Sequence, residues 1–171
     1  QELHPRPSRI ESAGADPDAF IRQFLSETNF TPAIRKWTPE LLEEVRGIAD
    51  GSGKPFDTIF AFQLVDELWV FADRRAAEHC TSLGVGRTGP RAARVPQNMD
   101  LESFWGGFLF VLRTAGTCFT TEQLGFTSAG LIGMNGVNNR SIAVAVNTLM
   151  PLAASPDGLP VAFIVRGVLA Q

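Results

Sequence analysis

The stretch from Cys80 to Asp100, CTSLGVGRTGPRAARVPQNMD, decides the fold that we predict for this chain. Two strand-like runs, CTSLGVG and ARVPQNM, flank a turn that contains Gly89 and Pro90, which is the pattern of a β-hairpin. In an antiparallel pair the residue numbers of opposed positions have a constant sum, here about 180 for a turn centred near Pro90. Cys80 then lies opposite Asp100, and directly opposed side chains share a face of the sheet. The sequence therefore predicts a cysteine beside a carboxylate at the open end of the hairpin.

The cysteine in this hairpin lacks an evident histidine partner. A cysteine nucleophile acts as the thiolate, and a nearby base usually supports that form. The chain has two histidines, His4 in the Pro-rich lead-in and His79 directly before Cys80, and adjacent side chains on a strand point to opposite faces. The α-amino group of Cys80 would serve instead, because such an amine has a pKa of about 7.7–8.0 and suits general-base duty near neutral pH. We therefore predict that Cys80 becomes a chain N-terminus by cleavage after His79.

Length and composition are those of a globular protein. The 171 residues suffice for one domain with a core, and 44% of them are hydrophobic and 19% charged. A net charge of −3 gives no indication of a nucleic-acid or anionic-membrane partner. No apolar stretch reaches the ~20 residues that a membrane-spanning helix needs. The start at Gln1 in place of Met indicates either that a leader has been removed or that the chain is a fragment. We expect a secreted or periplasmic location, with a cytoplasmic location as the alternative.

Helices are predicted before the hairpin. Asp16 or Asp18 caps a short first helix, and Thr38 caps a second one that begins at Pro39. Gly51 ends that second helix, and a third begins at Pro55 or Asp57. The GSGKP segment resembles a phosphate loop only weakly, because no Ser or Thr follows its lysine, and we interpret it as a helix stop.

Strand-like runs dominate after the hairpin begins. They are CTSLGVG, ARVPQNM, GGFLFVLR, TSAGLIGMNG and SIAVAVNTLM, and Pro160 then opens a final apolar helix. Helices, a meander of strands and a closing helix together predict the α+β class. We place the domain boundary at the hairpin, with a helical region over 1–79 and a second region over 80–171.

Three collinear blocks of the sequence resemble the acyl-coenzyme A:isopenicillin N acyltransferase family of N-terminal-nucleophile (Ntn) cysteine hydrolases. The first is the Cys-Thr-Ser start that leads through a Gly-containing hairpin into Gln-Asn-Met-Asp. The second, PELLEEVRGIADGSGKPFDTIFAFQLVDEL, is similar to the family's helical propeptide, and the third, SAGLIGMNGVNNRSIAVAVNTL, is similar to its later strand pair. The resemblance covers roughly residues 39–170.

The resemblance implies a four-layer αββα sandwich. Residues 1–79 would be the helical propeptide or small-subunit region, and residues 80–171 the first part of the catalytic domain. The hairpin 80–99 would then belong to a central sheet, with the helices of residues 38–70 packed outside it. The family's oxyanion-hole asparagine and the second half of its fold would lie beyond Gln171, so a second part of its own precursor would complete the site.

The resemblance also implies a mechanism. The precursor would cut itself between His79 and Cys80, and Cys80 would attack an amide or acyl thioester carbonyl of a small-molecule substrate. Asp100 would orient the substrate or the new amine, and the acyl group would pass to water or to an amine. Neither a metal nor a cofactor is implied. Phe104 and Trp105, just after Asp100, would line an acyl pocket or belong to the core.

Other interpretations of the same residues remain open. Cys80 would otherwise be a small core residue, or the nucleophile of a conventional cysteine hydrolase whose histidine lies outside this chain, and the chain as a whole would otherwise be a binding module. Asp100 would otherwise cap a turn. The remaining polar candidates are interpreted structurally: Gln97 and Asn98 satisfy backbone groups, Asn135 and Asn138 shape turns, and Cys118 is structural.

Overall fold

The computed structural model describes residues 16–72, 80–101, 103–115, 121–148 and 155–171. These residues form six α-helices and two small antiparallel sheets, so the predicted α+β class is confirmed. The chain divides into two compact units, one of residues 1–76 and 150–160 and one of residues 77–149 and 161–171. In the portion of the chain that is described, no helix has both the length and the apolar character that crossing a bilayer requires.

Five of the helices belong to the first unit. They are α1 (Pro17–Glu27), α2 (Thr31–Trp37), α3 (Pro39–Ser52), α4 (Phe56–Gln63) and α5 (Val65–Phe71). Asp16 caps α1 as predicted, since its carboxylate accepts a hydrogen bond from the backbone N–H of Asp18 at 3.0 Å. The end of α3 lies beyond the predicted Gly51, because it is Gly53 that adopts the left-handed conformation (φ +66°) and closes the helix.

The core of this helical unit is aromatic and aliphatic. Phe24 and Ile34 are completely buried, and the Phe24 ring meets the edge of Phe71 with 5.2 Å between ring centroids. Leu64 interrupts the helical backbone between α4 and α5, and its side chain is also fully buried. Burying side chains of this size is the main source of stability in such a unit, at about 25 cal/mol per Å² of apolar surface.

The second unit is built from strands. They are β1 (Thr81–Ser82), β2 (Gln97–Asn98), β3 (Leu109–Thr114), β4 (Gln123–Ser128), β5 (Asn135–Asn138) and β6 (Ala143–Val144). A four-stranded antiparallel meander runs in the order β3-β4-β5-β6. The hairpin strands β1 and β2 form a sheet of their own among the described residues, whereas we predicted that they belong to a central sheet. The stretch TSAGLIGMNG, which we predicted as one strand, is the end of β4 and the start of β5 joined by a turn. Gly130 in this turn has φ +88°.

The sixth helix, α6 (Val161–Leu169), follows Pro160 as predicted and packs on the meander. Gly136 on β5 permits the close approach, because a Cβ there would lie 2.9 Å from a methyl carbon of Leu169 and 2.6 Å from the Leu124 carbonyl oxygen. Asn138 and Thr121 donate to the Leu169 carbonyl oxygen at 2.9 and 2.8 Å and so satisfy the end of the helix. The helix α6 thereby covers one face of the sheet at β5 and β6.

Candidate functional site

The register of the hairpin differs by one residue from the prediction. Thr81 pairs with Asn98 and Ser82 with Gln97, and continuing this register places Cys80 opposite Met99. The predicted opposition of Cys80 and Asp100 is therefore wrong. Asp100 is exposed and lies one residue beyond Met99 along the chain, so it is not directly opposite Cys80.

The turn explains this difference. Thr88 and Arg91 exchange both backbone hydrogen bonds, at 3.2 and 3.1 Å, so the loop between them has two residues. Gly89 adopts φ +57°, which a two-residue hairpin turn requires and a side chain disfavours. The centre of the turn therefore lies between Gly89 and Pro90 and not on Pro90. The case for Asp100 as a site residue now depends on its place in the Gln-Asn-Met-Asp motif, and its role stays a prediction.

Cys80 is a free, half-buried cysteine at the base of the hairpin. Its carbonyl oxygen accepts a hydrogen bond of 2.6 Å from the side-chain amide of Asn147, which follows β6. This bond fixes the peptide group on the C-terminal side of Cys80 and therefore restricts the orientation of its α-carbon. Sequence reasoning missed Asn147, because nothing in the local pattern of SIAVAVNTLM distinguishes it from the other asparagines nearby.

Gln97 ties the second hairpin strand to the same segment. Its side-chain Nε2 donates to the Val146 carbonyl oxygen, and its Oε1 accepts from the Val146 N–H at 3.3 Å. The prediction that Gln97 hydrogen-bonds backbone groups is thus confirmed, with Val146 as the partner. Asn98, its neighbour on β2, is exposed. The two hairpin strands are therefore held by adjacent residues, β1 through Asn147 and β2 through Val146.

Asn135 has a different role from the predicted turn-forming one. It lies on β5, and its Nδ2 reaches Gln97 Oε1 at 3.0 Å and Met99 Sδ at 3.3 Å. Asn138 shapes a turn as predicted, since its Oδ1 accepts from the N–H groups of Arg140 and Ile142 at 3.0 and 2.9 Å. Of the two asparagines, Asn135 is the one connected to the base of the hairpin.

The two aromatic candidates have different environments. Trp105 is only 3% exposed, whereas Phe104 beside it is 63% exposed, and the two rings stack with 5.3 Å between centroids. Trp105 therefore contributes to the core, and Phe104 presents an apolar surface. Their part in an acyl pocket stays a prediction.

Several candidates lie outside the described residues. They include Cys118 and the His79 side of the predicted cleavage site. Both histidines of the chain are among them, so the described residues hold no Cys–His pair. Within those residues, no cluster of His, Cys, Asp or Glu side chains is arranged to hold a metal ion.

The described part of the site is a cysteine held through its own backbone. The Asn147 amide binds the Cys80 carbonyl oxygen, and the Gln97 amide binds the neighbouring Val146. Both amides are neutral, and no charged side chain is bonded to Cys80 in the described part of the chain. Such an arrangement can orient a nucleophile but does not by itself activate it, since activation requires a base. Comparison of the sequence with protein-family models and with curated proteins finds no match.

Proposed function

We propose that this chain is a self-processing Ntn amidohydrolase or acyltransferase in which Cys80 is both the nucleophile and the N-terminal residue after cleavage. The observation that carries the proposal is the hydrogen bond from Asn147 to the Cys80 carbonyl oxygen. A residue that becomes an N-terminus loses its support on the N-terminal side. It must then be held through the peptide group that follows it, and Asn147 binds that group.

The first reaction would be cleavage of the bond between residues 79 and 80. Cys80 Sγ attacks the carbonyl carbon of residue 79, the peptide C–N bond breaks, and the Cys80 nitrogen takes the proton and becomes an amine. Water then hydrolyses the resulting thioester, which releases the carboxylate of residue 79 and restores the thiol. The helical region over 1–79 ends as a separate polypeptide.

The second reaction would be acyl transfer from a small amide or an acyl thioester. The new α-amine removes the thiol proton, the thiolate attacks the substrate carbonyl, and the leaving amine or thiol departs with that proton. The acyl group on Cys80 then passes to water or to an amine acceptor. Asp100 is proposed to hold the α-ammonium group or a substrate N–H by a charge-assisted hydrogen bond.

The exposed face of the four-stranded sheet supports the proposed αββα fold. Val111, Leu124 and Val137 share the face opposite to α6, and each is about half exposed or more. Apolar side chains on one face of a sheet are ordinarily covered by a second layer. A second sheet packed there, as in a four-layer sandwich, would bury them.

N-terminal sequencing and intact mass measurement of the purified full chain test the proposal. We expect the wild type to yield a new N-terminus at Cys80. Cys80→Ala should stay uncut and inactive on amide substrates, and Cys80→Ser should cut slowly, because a hydroxyl also supports the acyl shift. Ser82→Ala, two positions along the same hairpin strand, is the matched control and should be processed normally.

Three results would contradict the proposal. An uncut wild type that hydrolyses amides would identify a conventional cysteine hydrolase. Cleavage of Cys80→Ala between residues 79 and 80 at the wild-type rate would show that another protease makes the cut. An uncut chain that is also inactive and unreactive toward thiol alkylators would favour a binding module.

A further inference from the structure

We propose that Gln97 is a positioning residue for Cys80: its carboxamide holds the backbone at Val146, and so holds Asn147 against the cysteine. The catalytic consequence rests on the proposed function. The geometric part, that Gln97 controls the contact between Asn147 and Cys80, does not depend on any reaction.

The contact between Gln97 and Val146 is a paired one. The carboxamide both donates to the Val146 carbonyl oxygen and accepts from the Val146 N–H, as a neighbouring strand would. The Val146 N–H and C=O belong to the two peptide groups that flank its α-carbon, so the two hydrogen bonds restrain both groups, including the one that leads into Asn147. Because Asn147 is the next residue along the chain, this pairing restricts the direction in which its side chain leaves the backbone.

Asn135 fixes the carboxamide in turn. Gln97 Oε1 accepts from the Asn135 side chain at 3.0 Å in addition to the Val146 N–H. A flipped amide would set the Gln97 NH₂ group against both of these donors, so a single orientation satisfies the network. Asn135 also contacts Met99, the residue opposite Cys80, and therefore supports the same end of the hairpin.

The hairpin has little other support within the described residues. Every residue from 81 to 96 is exposed, and an isolated two-stranded hairpin is only marginally stable in water. The side-chain contacts described above tie its base to residues 146 and 147. Without Gln97, β2 loses its bonds to Val146, and Asn147 alone connects β1 to that segment.

The test compares two substitutions of the same kind. Gln97→Leu removes both hydrogen-bonding functions at similar size, and we expect self-cleavage to slow by about 10–100-fold, the effect of a small misplacement of a reacting group. Gln63→Leu is the matched control, because the Gln63 amide is buried in the helical unit and donates to the Ile59 carbonyl oxygen. The control should lower the melting temperature and leave cleavage of the folded protein unchanged.

Gln97→Glu adds a second measurement, the pH dependence of the cleavage rate, which would not change if Gln97 had only a structural role. A protonated carboxyl group offers one donor and one acceptor and can replace the amide, whereas the ionised group only accepts and faces the Val146 carbonyl oxygen. The ratio of the variant's cleavage rate to that of the wild type should therefore rise as the pH falls toward the ordinary glutamate pKa of about 4.3.

Two outcomes would overturn the inference. One is a Gln97→Leu variant that cleaves at the wild-type rate; the other is a Gln97→Glu variant whose relative rate does not change with pH. If the wild type itself is never cut, the proposed function fails, and nuclear magnetic resonance of the Asn147 side-chain amide then decides the geometric part. Gln97→Leu should shift that signal and Gln63→Leu should not, and an unchanged signal in Gln97→Leu would refute the positioning role.

Discussion

The helical unit and the hairpin are stabilised in different ways. In the helical unit, side chains such as Phe24 and Val45 are completely buried, and non-directional apolar packing holds the helices together. In the hairpin, residues 81–96 are all exposed, and directional hydrogen bonds at the base tie it to the segment after β6. Substitutions in the helical core should therefore lower the free energy of unfolding, and substitutions at the hairpin base should lower the rates of the proposed self-cleavage and turnover.

Asp100→Asn gives the sharpest form of this comparison and the largest expected effect. It preserves the shape of an exposed side chain and removes its charge, so the thermal melt should stay near that of the wild type. Self-cleavage, turnover or both should fall by about 10²–10⁴-fold, as expected for a group that positions or assists a proton transfer. The cleavage rate, the amidase rate and the melt would be measured together.

The control for Asp100 is Asp50→Asn, which removes the charge of an exposed aspartate on α3. It should change neither rate. If Asp100→Asn melts normally and works at full rate, Asp100 only caps a turn. If it simply unfolds, its role is structural, and the contrast between the two regions does not hold at this residue.

Phe24→Ala is the corresponding change in the helical core. It removes a fully buried ring that contacts Phe71, and the cavity should lower the free energy of unfolding by about 3–5 kcal/mol. Denaturant titration measures this loss, and cleavage should proceed normally at temperatures where the variant is folded. Trp37→Ala, a large change at a side chain that is 65% exposed, should lower stability far less. Slow cleavage in folded Phe24→Ala would contradict the expectation that the helical core affects stability and not the cleavage rate.

The smallest expected effect is at the exposed ion pair between Arg113 and Glu122 in the strand unit. The hydrogen bond from Arg113 lowers the pKa of the Glu122 carboxyl, and the charge attraction adds to this. A lowered pKa in the folded state stabilises the fold above the unfolded pKa, and this contribution disappears as the pH falls through the folded pKa. Water and salt screen such a pair, so the contribution is small.

Glu122→Gln tests this directly. The variant should melt close to the wild type at neutral pH and lose slightly less stability on acidification from about pH 7 to about pH 3, across the ordinary carboxyl range. Glu40→Gln, at an exposed glutamate in the first turn of α3, is the comparison. A large drop in the melting temperature of Glu122→Gln at neutral pH would mean that the strand unit, too, depends strongly on a surface contact.

Several helix starts were predictable from the sequence because their signals are local, whereas α2 and α5 were not predicted as separate helices. Asp16 accepts the hydrogen bond of a cap, and Pro39 and Pro160 stand where a helix begins. Ends and registers were harder, because competing residues offer the same local signal. Gly51 and Gly53 both suit a helix end, and only the left-handed conformation of Gly53 decides between them.

The site was predictable only in part. The motif from Cys80 to Asp100 identified the hairpin, but a two-residue turn in place of one centred on Pro90 changed the residue opposite the cysteine. Asn147 could not be found from the sequence, since its contact with Cys80 joins residues that are 67 positions apart. A contact of that span depends on the path of the meander, which local patterns do not encode.

The span of that contact also sets an order of events during synthesis. A ribosome adds about 5–20 residues per second, so Asn147 is made roughly 3–13 s after Cys80. During this interval the nascent chain holds its cysteine without the amide that fixes it. Self-cleavage that depends on the contact would therefore start only after β3 to β6 have been translated, so the helical region would remain covalently attached until the meander exists. The hydrogen bond between Asn147 and Cys80 would thus determine how early in synthesis self-cleavage can begin.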